Sequence, residues 1–361
     1  MASPVTSSTT LVLLGLACLG ASPHDPDREV REAVWAGHWL KGVRQYREIE
    51  RAGQAASPQA SYLAGLALWK LRRPEEAQPL LEKALKAGFR AGGDRPQPEE
   101  LLQHIARYRE AKPPPVEVAG LDRTRLDPYA DDSSERSRAV LAALPRILEL
   151  GRAAFGDPPP LRFFLFAKKP ALARFWGAFQ ETAAREAEVP HSTGVVNMVI
   201  YCAEKAQRST PAETISLALH EATHAWVATY LRNHTDRVIP LPKYLSEGLA
   251  VYVASMWSDE VHALASQRVA TWRKTHAAPP PEFKDLGPDQ TFSDPDKVNP
   301  NYWLSDLLVE RLLGPPSVGA KRIPALLDAL ARSGDDAAAW REITGRDVAK
   351  EYQALLSETF R

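Results

Sequence analysis

The chain has 361 residues, 44% of them hydrophobic and 25% charged, enough apolar material for the core of a folded protein of more than one domain. Its 45 basic and 45 acidic residues cancel, so no basic field points to nucleic acid and no charge excess points to an anionic membrane surface. With Cys18 and Cys202 as its two cysteines, it carries no disulfide framework.

An apolar run, Leu11 to Gly20, comes first, ahead of small residues and the charged, proline-bearing stretch Ser22 to Arg28. A run this short does not span a bilayer as a mature helix but matches the hydrophobic segment of an export signal over residues 1–22. The usual basic flank is missing, since the first Lys or Arg is Arg28. Gly15-Leu16-Ala17-Cys18 is similar to a bacterial lipoprotein cleavage site, with glycine where leucine is expected. A cleaved soluble form and a lipid anchor at Cys18 are both open, and export to the periplasm, the outer surface or the medium is the expectation.

Residues 27–112 read as helical throughout. Pro58 opens a helix that runs to Leu71, Arg72-Arg73-Pro74 turns the chain, and Glu75 to Ala87 forms a second helix ending at Gly88. The small residues Gly65, Ala77 and Ala84, with Leu81 and Leu85 as large packers, resemble a tetratricopeptide repeat. Glu29 to Arg51 and Pro98 to Glu110 are expected as degenerate neighbouring helices. Such a unit is a cap on the following domain or a groove for a protein partner.

Pro113-Pro114-Pro115 is expected as a linker, because proline fixes φ and removes a backbone donor. Beyond it the period changes. Val116 to Ala119 is expected as a short strand and Ser133 to Phe155 as a helix despite Pro145. Leu161 to Phe166 is apolar, aromatic and bounded by prolines, which predicts a buried strand. Ala171 to Ala187 follows as a helix, and Gly194 to Tyr201, rich in β-branched residues, as one more strand. Pro211, with Ser209 and Thr210 as caps, opens the next helix. From there to Arg361 the pattern is helical, with a long loop over Pro279 to Pro300. The fold class expected is α+β: residues 116–257 hold a small mixed sheet and two site helices, and 258–361 a helical subdomain.

The helix from Pro211 carries His220-Glu221-Ala222-Thr223-His224. Side chains four apart share a helix face, so His220 and His224 can put two imidazole nitrogens on one ion, about 2.0–2.1 Å away for zinc. Glu221, about 100° round the helix, can reach a water there without ligating the ion. Ile215, Leu217, Ala218, Ala222, Ala225 and Trp226 make this helix apolar, so its polar trio is costly unless satisfied. Downstream, Pro240 to Tyr252 turns into a helix in which Glu247 sits among Leu245, Leu249, Ala250 and Val253. As a third ligand, Glu247 completes a His2Glu site with one open position, the coordination of a catalytic zinc.

H-E-A-T-H followed by L-S-E-G-L-A at 245–250 resembles the gluzincin zinc metallopeptidases, in particular the bacterial peptidase MA-like branch, over residues from about Val116 to the C-terminus. The resemblance implies a zincin-like fold, zinc held by His220, His224 and Glu247, and Glu221 as general base in peptide hydrolysis. It also implies a role for the helix containing Tyr302, whose hydroxyl is the first candidate for an oxyanion donor; His191 and Tyr201 are weaker ones. Gly194, Val195, Val196 and Asn197 stand where an edge strand receives extended peptide or protein substrate. One position departs: Val251 stands where the family carries an acid that supports a zinc-bound histidine, so another group, Asp306 or a backbone carbonyl, must do so. This departure leaves room for a non-catalytic scaffold that binds a partner through residues 27–112, although the retained Glu221 counts against it. Hydrolysis of a non-peptide cell-wall amide fits the same site. His234, His262, Trp226, Trp257, Trp272 and Trp303 are expected as ordinary packing or surface residues.

Overall fold

The computed structural model describes residues 25–131, 134–179, 192–203, 210–235, 239–275, 280–287 and 298–360. The expected export signal with Cys18, the candidate His191 and most of the expected loop at 279–300 lie outside them. No helix among the described residues is long and apolar enough to cross a membrane.

The N-terminal helices are α1 (Pro26–Trp35), α2 (Trp39–Arg51), α3 (Pro58–Lys70), α4 (Pro74–Lys86) and α5 (Pro98–Ala111). The single helix expected from Glu29 to Arg51 is two, because Gly37 takes a left-handed φ of +77° between them. The small residues of the next pair do what their size allows. A Cβ on Gly65 would stand 2.8 Å from Leu81 Cγ, and Ala77, Leu81 and Ala84 are fully buried at that contact. Leu85 is half-buried.

The sheet comprises β1 (Leu126–Ala130), β2 (Leu161–Phe166), β3 (Ser192–Val195) and β4 (Met198–Cys202), interleaved with α6 (Glu135–Phe155) and α7 (Lys169–Phe179). Its order is β1-β2-β4-β3, with β1, β2 and β4 parallel and β3 antiparallel to β4. Two strand expectations are corrected here. Val116 to Ala119 forms no strand; residues 114–116 instead bridge to β1, with Val116 N–H donating to Pro128 O and Ala130 N–H to Pro114 O. β1 itself contains a proline, which an edge strand tolerates. The run from Gly194 to Tyr201 is not one strand but a hairpin, turned at Val196 and Asn197, where Asn197 adopts φ +62°.

Both sheet faces are covered, and the side chains alternate between two cores. Phe163, Leu165, Val199 and Tyr201 face α6 and the C-terminal helices. Tyr129, Phe164, Phe166, Met198, Ile200 and Cys202 face the N-terminal helices and α7. The prolines at 113–115 therefore mark a change of element type, while the helices before them share a core with the sheet after them. The chain is mostly helical around one small mixed sheet, consistent with the α+β class expected.

The remaining helices are α8 (Pro211–His234), α9 (Lys243–Ala254), α10 (Asp259–Thr275), α11 (Val298–Leu313), α12 (Pro316–Gly319), α13 (Ile323–Ser333), α14 (Asp336–Thr344) and α15 (Val348–Thr359). A capping box starts α8: Thr210 accepts from Glu213 N–H, and Glu213 accepts from Thr210 N–H. Trp226, buried against Phe155 of α6, fixes its rotation. At α9, Gly248 lets the helix lie on α11, since a Cβ there would meet Ser305 O at 2.7 Å. Tyr244 donates to Asp336 and accepts from Trp340 Nε1–H, tying the start of α9 to α14.

The closest approach is at Gly194, where a Cβ would fall 1.9 Å from Glu221 O and 2.8 Å from His224 Cβ. Strand β3 thus rests directly on the backbone of α8 at the His-Glu motif. Gly194→Ala is expected to destabilise the protein by about 3 kcal/mol, because a helix carbonyl cannot move aside as a side chain can. Thermal unfolding of the variant checks this, and an unchanged melting temperature would contradict the packing.

Candidate metal centre

Helical spacing on α8 and the lie of α9 across it bring three side chains to one point. His224 Nε2 is 3.1 Å from His220 Nε2 and 3.2 Å from Glu247 Oε2, and the third edge, His220 Nε2 to Glu247 Oε2, is 3.3 Å. Among the described residues, this group of three can hold a metal ion. Glu247 is 95% buried, whereas the two histidine side chains retain 14% and 15% exposure. The triangle is therefore closed on the protein side and open on one face.

The electrostatics of the three atoms favour a cation among them. Burial pushes the Glu247 carboxyl up, but hydrogen bonds and charge from His220 and His224 outweigh it and hold the group well below the usual carboxylate range. Burial pushes His220 down, and its bond to Glu247 with the charges of Glu221 and Glu247 raises it above the ordinary imidazole value. His224 Nδ1 lies 3.2 Å from Ser246 Oγ.

Two residues complete the arrangement that sequence reasoning did not assign. Ser246 takes the place next to a ligand histidine for which Asp306 was a candidate. Asp306 is buried, its carboxyl pushed well up by burial with the Glu310 charge adding, and its Oδ1 makes no hydrogen bond among the described residues. Its electrostatic neighbours are Glu310 and Tyr252, and no contact links it to either histidine there. Val251 is half-buried on α9. Lys243, four residues before Glu247 on the same helix, donates to Glu247 Oε1 at 3.1 Å. That bond occupies one carboxylate oxygen and leaves Oε2 for the triangle. The spacing of Lys243 was readable as an i,i+4 pair; the serine, adjacent to the ligand in sequence, gave no signal of its own.

Glu221 is buried with 7% exposure, and its carboxylate makes no hydrogen bond among the described residues. Its charge reaches His220, Tyr201 and Tyr302. Burial pushes the hydroxyl of Tyr302 on α11 well up, with the Glu247 and Glu221 charges adding. Burial likewise raises Tyr201 on β4 to about 12. Gly194 and Val196 line a cavity beside His224, while Asn197 is used structurally. Its N–H donates to Thr229 Oγ1 at 2.8 Å and its Nδ2 to Leu71 O at 2.9 Å.

The other histidines and the tryptophans have ordinary surroundings. His234 stacks on Tyr230, His262 pairs with Glu310, Trp226 and Trp272 are core, and Trp257 and Trp303 are partly buried against it. No family model matches the chain, and comparison with curated proteins finds no match.

Ser246→Ala is expected to weaken metal binding about tenfold, because loss of the Nδ1 partner frees the His224 ring to rotate. Competition with a chromophoric chelator measures it. Equal affinities in the variant and the parent would remove Ser246 from the site.

Proposed function

We propose that the chain is a zinc-dependent peptidase of the gluzincin type, with zinc held by His220, His224 and Glu247 and Glu221 as the general base. The observation that carries the proposal is the triangle of donor atoms with edges of 3.1–3.3 Å. Ligands about 2.0–2.1 Å from a tetrahedral zinc stand about 3.3 Å apart, so the side chains already have the required separation. Two imidazoles and one carboxylate, with one open face, are the donor set of a catalytic zinc rather than a structural one. The zincin-like fold is part of the proposal, supported by a strand resting on the helix that bears the histidines and by Glu247 on the helix that follows.

When bound, zinc would lower the pKa of a water and polarise the scissile carbonyl. The protein's own groups do the rest. Glu221, buried and with no hydrogen bond among the described residues, takes the proton of the attacking water and passes it to the leaving amine. Tyr302, whose hydroxyl stays protonated well above neutral pH, donates to the oxygen on which negative charge develops. Lys243 and Ser246 hold Glu247 and His224 in place, so that neither ligand has to be ordered when substrate arrives. β3 is an edge strand of the sheet, to which an extended peptide would add, and Gly194 and Val196 line the cavity beside His224. The helices before Pro113 brace the opposite sheet face, a role that fits a tetratricopeptide-like cap.

Glu221→Gln is expected to cut peptide hydrolysis by at least about a thousandfold while metal content stays at the parental level. A peptide-library digest read by mass spectrometry, with a chelator control, tests this. Chelator-sensitive cleavage that persists in the variant would contradict the role of Glu221. Absence of such cleavage in the parent would favour a scaffold.

A further inference from the structure

A cavity of about 300 Å³ opens beside the metal ligands. One wall is the stripe of α8 that continues from His224 through Ala228 to Arg232, residues spaced by four and hence on one helix face. Lys243, Ser246 and Gly194 also line it. The cavity is therefore bounded by two groups that serve the metal ligands, by the edge strand, and by one further cation.

That cation is Arg232. Its guanidinium is half-buried, and among the described residues its one hydrogen bond is long, 3.5 Å from Nη1 to Gly37 O. Among the described residues no carboxylate pairs with it. Other partly buried arginines are better satisfied: Arg311 pairs with Glu351 and Glu358, Arg162 pairs with Glu75, and Arg322 donates to two carbonyls, Leu313 O and Ile343 O. A guanidinium has five N–H donors in a planar fork, and removing it from water without an opposite charge is unfavourable. Burial lowers the pKa of Arg232 with no acid to offset it. Lys243, the other cation of the cavity, is already engaged with Glu247.

We infer that Arg232 is the anchor of a carboxylate-binding subsite, in which an acidic side chain or the C-terminal carboxylate of the substrate docks while the scissile bond lies at the His220–His224–Glu247 group. Eight residues of helix separate Arg232 from His224, about 12 Å at 1.5 Å per residue. The two side chains shorten that distance, and at about 3.4 Å per residue one to three residues of extended peptide cover the remainder. The bidentate fork suits a carboxylate better than a single ammonium does. This inference rests on the peptidase reading and names the substrate chemistry that such a peptidase would select.

The test is peptide binding to the full-length Glu221→Gln protein, loaded with zinc and followed by calorimetry, so that no turnover is needed. Three matched peptides are compared: one with an internal acidic residue and an amidated end, one neutral with a free C-terminus, and one neutral and amidated. A carboxylate-bearing peptide is expected to bind about tenfold more tightly than the neutral amidated one, and which of the two does so identifies the source of the carboxylate. Adding Arg232→Met should reduce that preference to less than about twofold, and Arg232→Lys should keep part of it, with metal content unchanged in both. Equal binding of the three peptides, or a preference that survives Arg232→Met, would overturn the subsite and leave the peptidase reading intact. Failure of every peptide to bind, with no chelator-sensitive cleavage by the parent, would overturn both.

Discussion

A carboxylate on the buried face of an apolar helix is costly unless something positive meets it, and Glu247 is such a group. Its neighbours on α9 are leucines and an alanine, and Tyr244, one turn earlier, is fixed to α14 by Asp336 and Trp340. The helix cannot rotate the carboxylate away without breaking those contacts and the close fit of Gly248 on Ser305 O. What meets Glu247 is a pair of imidazoles from α8 and the ammonium of Lys243. Much of the C-terminal half can be understood as the framework that holds α8 and α9 at the angle where these charges converge.

The sheet serves that framework from the other side. It is buried on both faces, which is why β4 is a continuous apolar run and β2 is one apart from Arg162. One face seats α6 and, through Trp226, the motif helix; the other seats the N-terminal helices. Gly194 is where sheet and helix come closest, and it has no side chain because a helix carbonyl occupies the space. Asn197 fastens the hairpin at two places, to Thr229 on α8 and to Leu71 at the end of α3. Through this one residue the N-terminal helices, the sheet and the metal-site helix are mechanically connected.

How much of this could be read beforehand depends on the range of the interaction concerned. The two histidines were legible because helical periodicity alone puts residues four apart on one face. Glu247 was legible as an acid stranded in an apolar helix, and Gly65, Ala77 and Ala84 as small residues at a helix contact. Strand β1 was not, because Leu126-Asp127-Pro128-Tyr129-Ala130 has the composition of a loop and becomes a strand only by pairing with β2. The hairpin was missed because Val195, Val196 and Val199 suggest one strand, and Asn197 turns without the glycine that commonly marks such a turn. Ser246 as the partner of His224, and Arg232 as a cation without an acid, are products of tertiary packing. Neither has a sequence spacing that announces it.

The account stands on a metal held by three side chains from two helices. Metal content of the purified protein, measured by mass spectrometry beside Glu247→Ala, tests that most directly. The proposed function predicts about one zinc per chain in the parent and little or none in the variant after dialysis. A parent that retains no metal after incubation with zinc and removal of the excess, or a variant that retains it equally well, would contradict the three-ligand site.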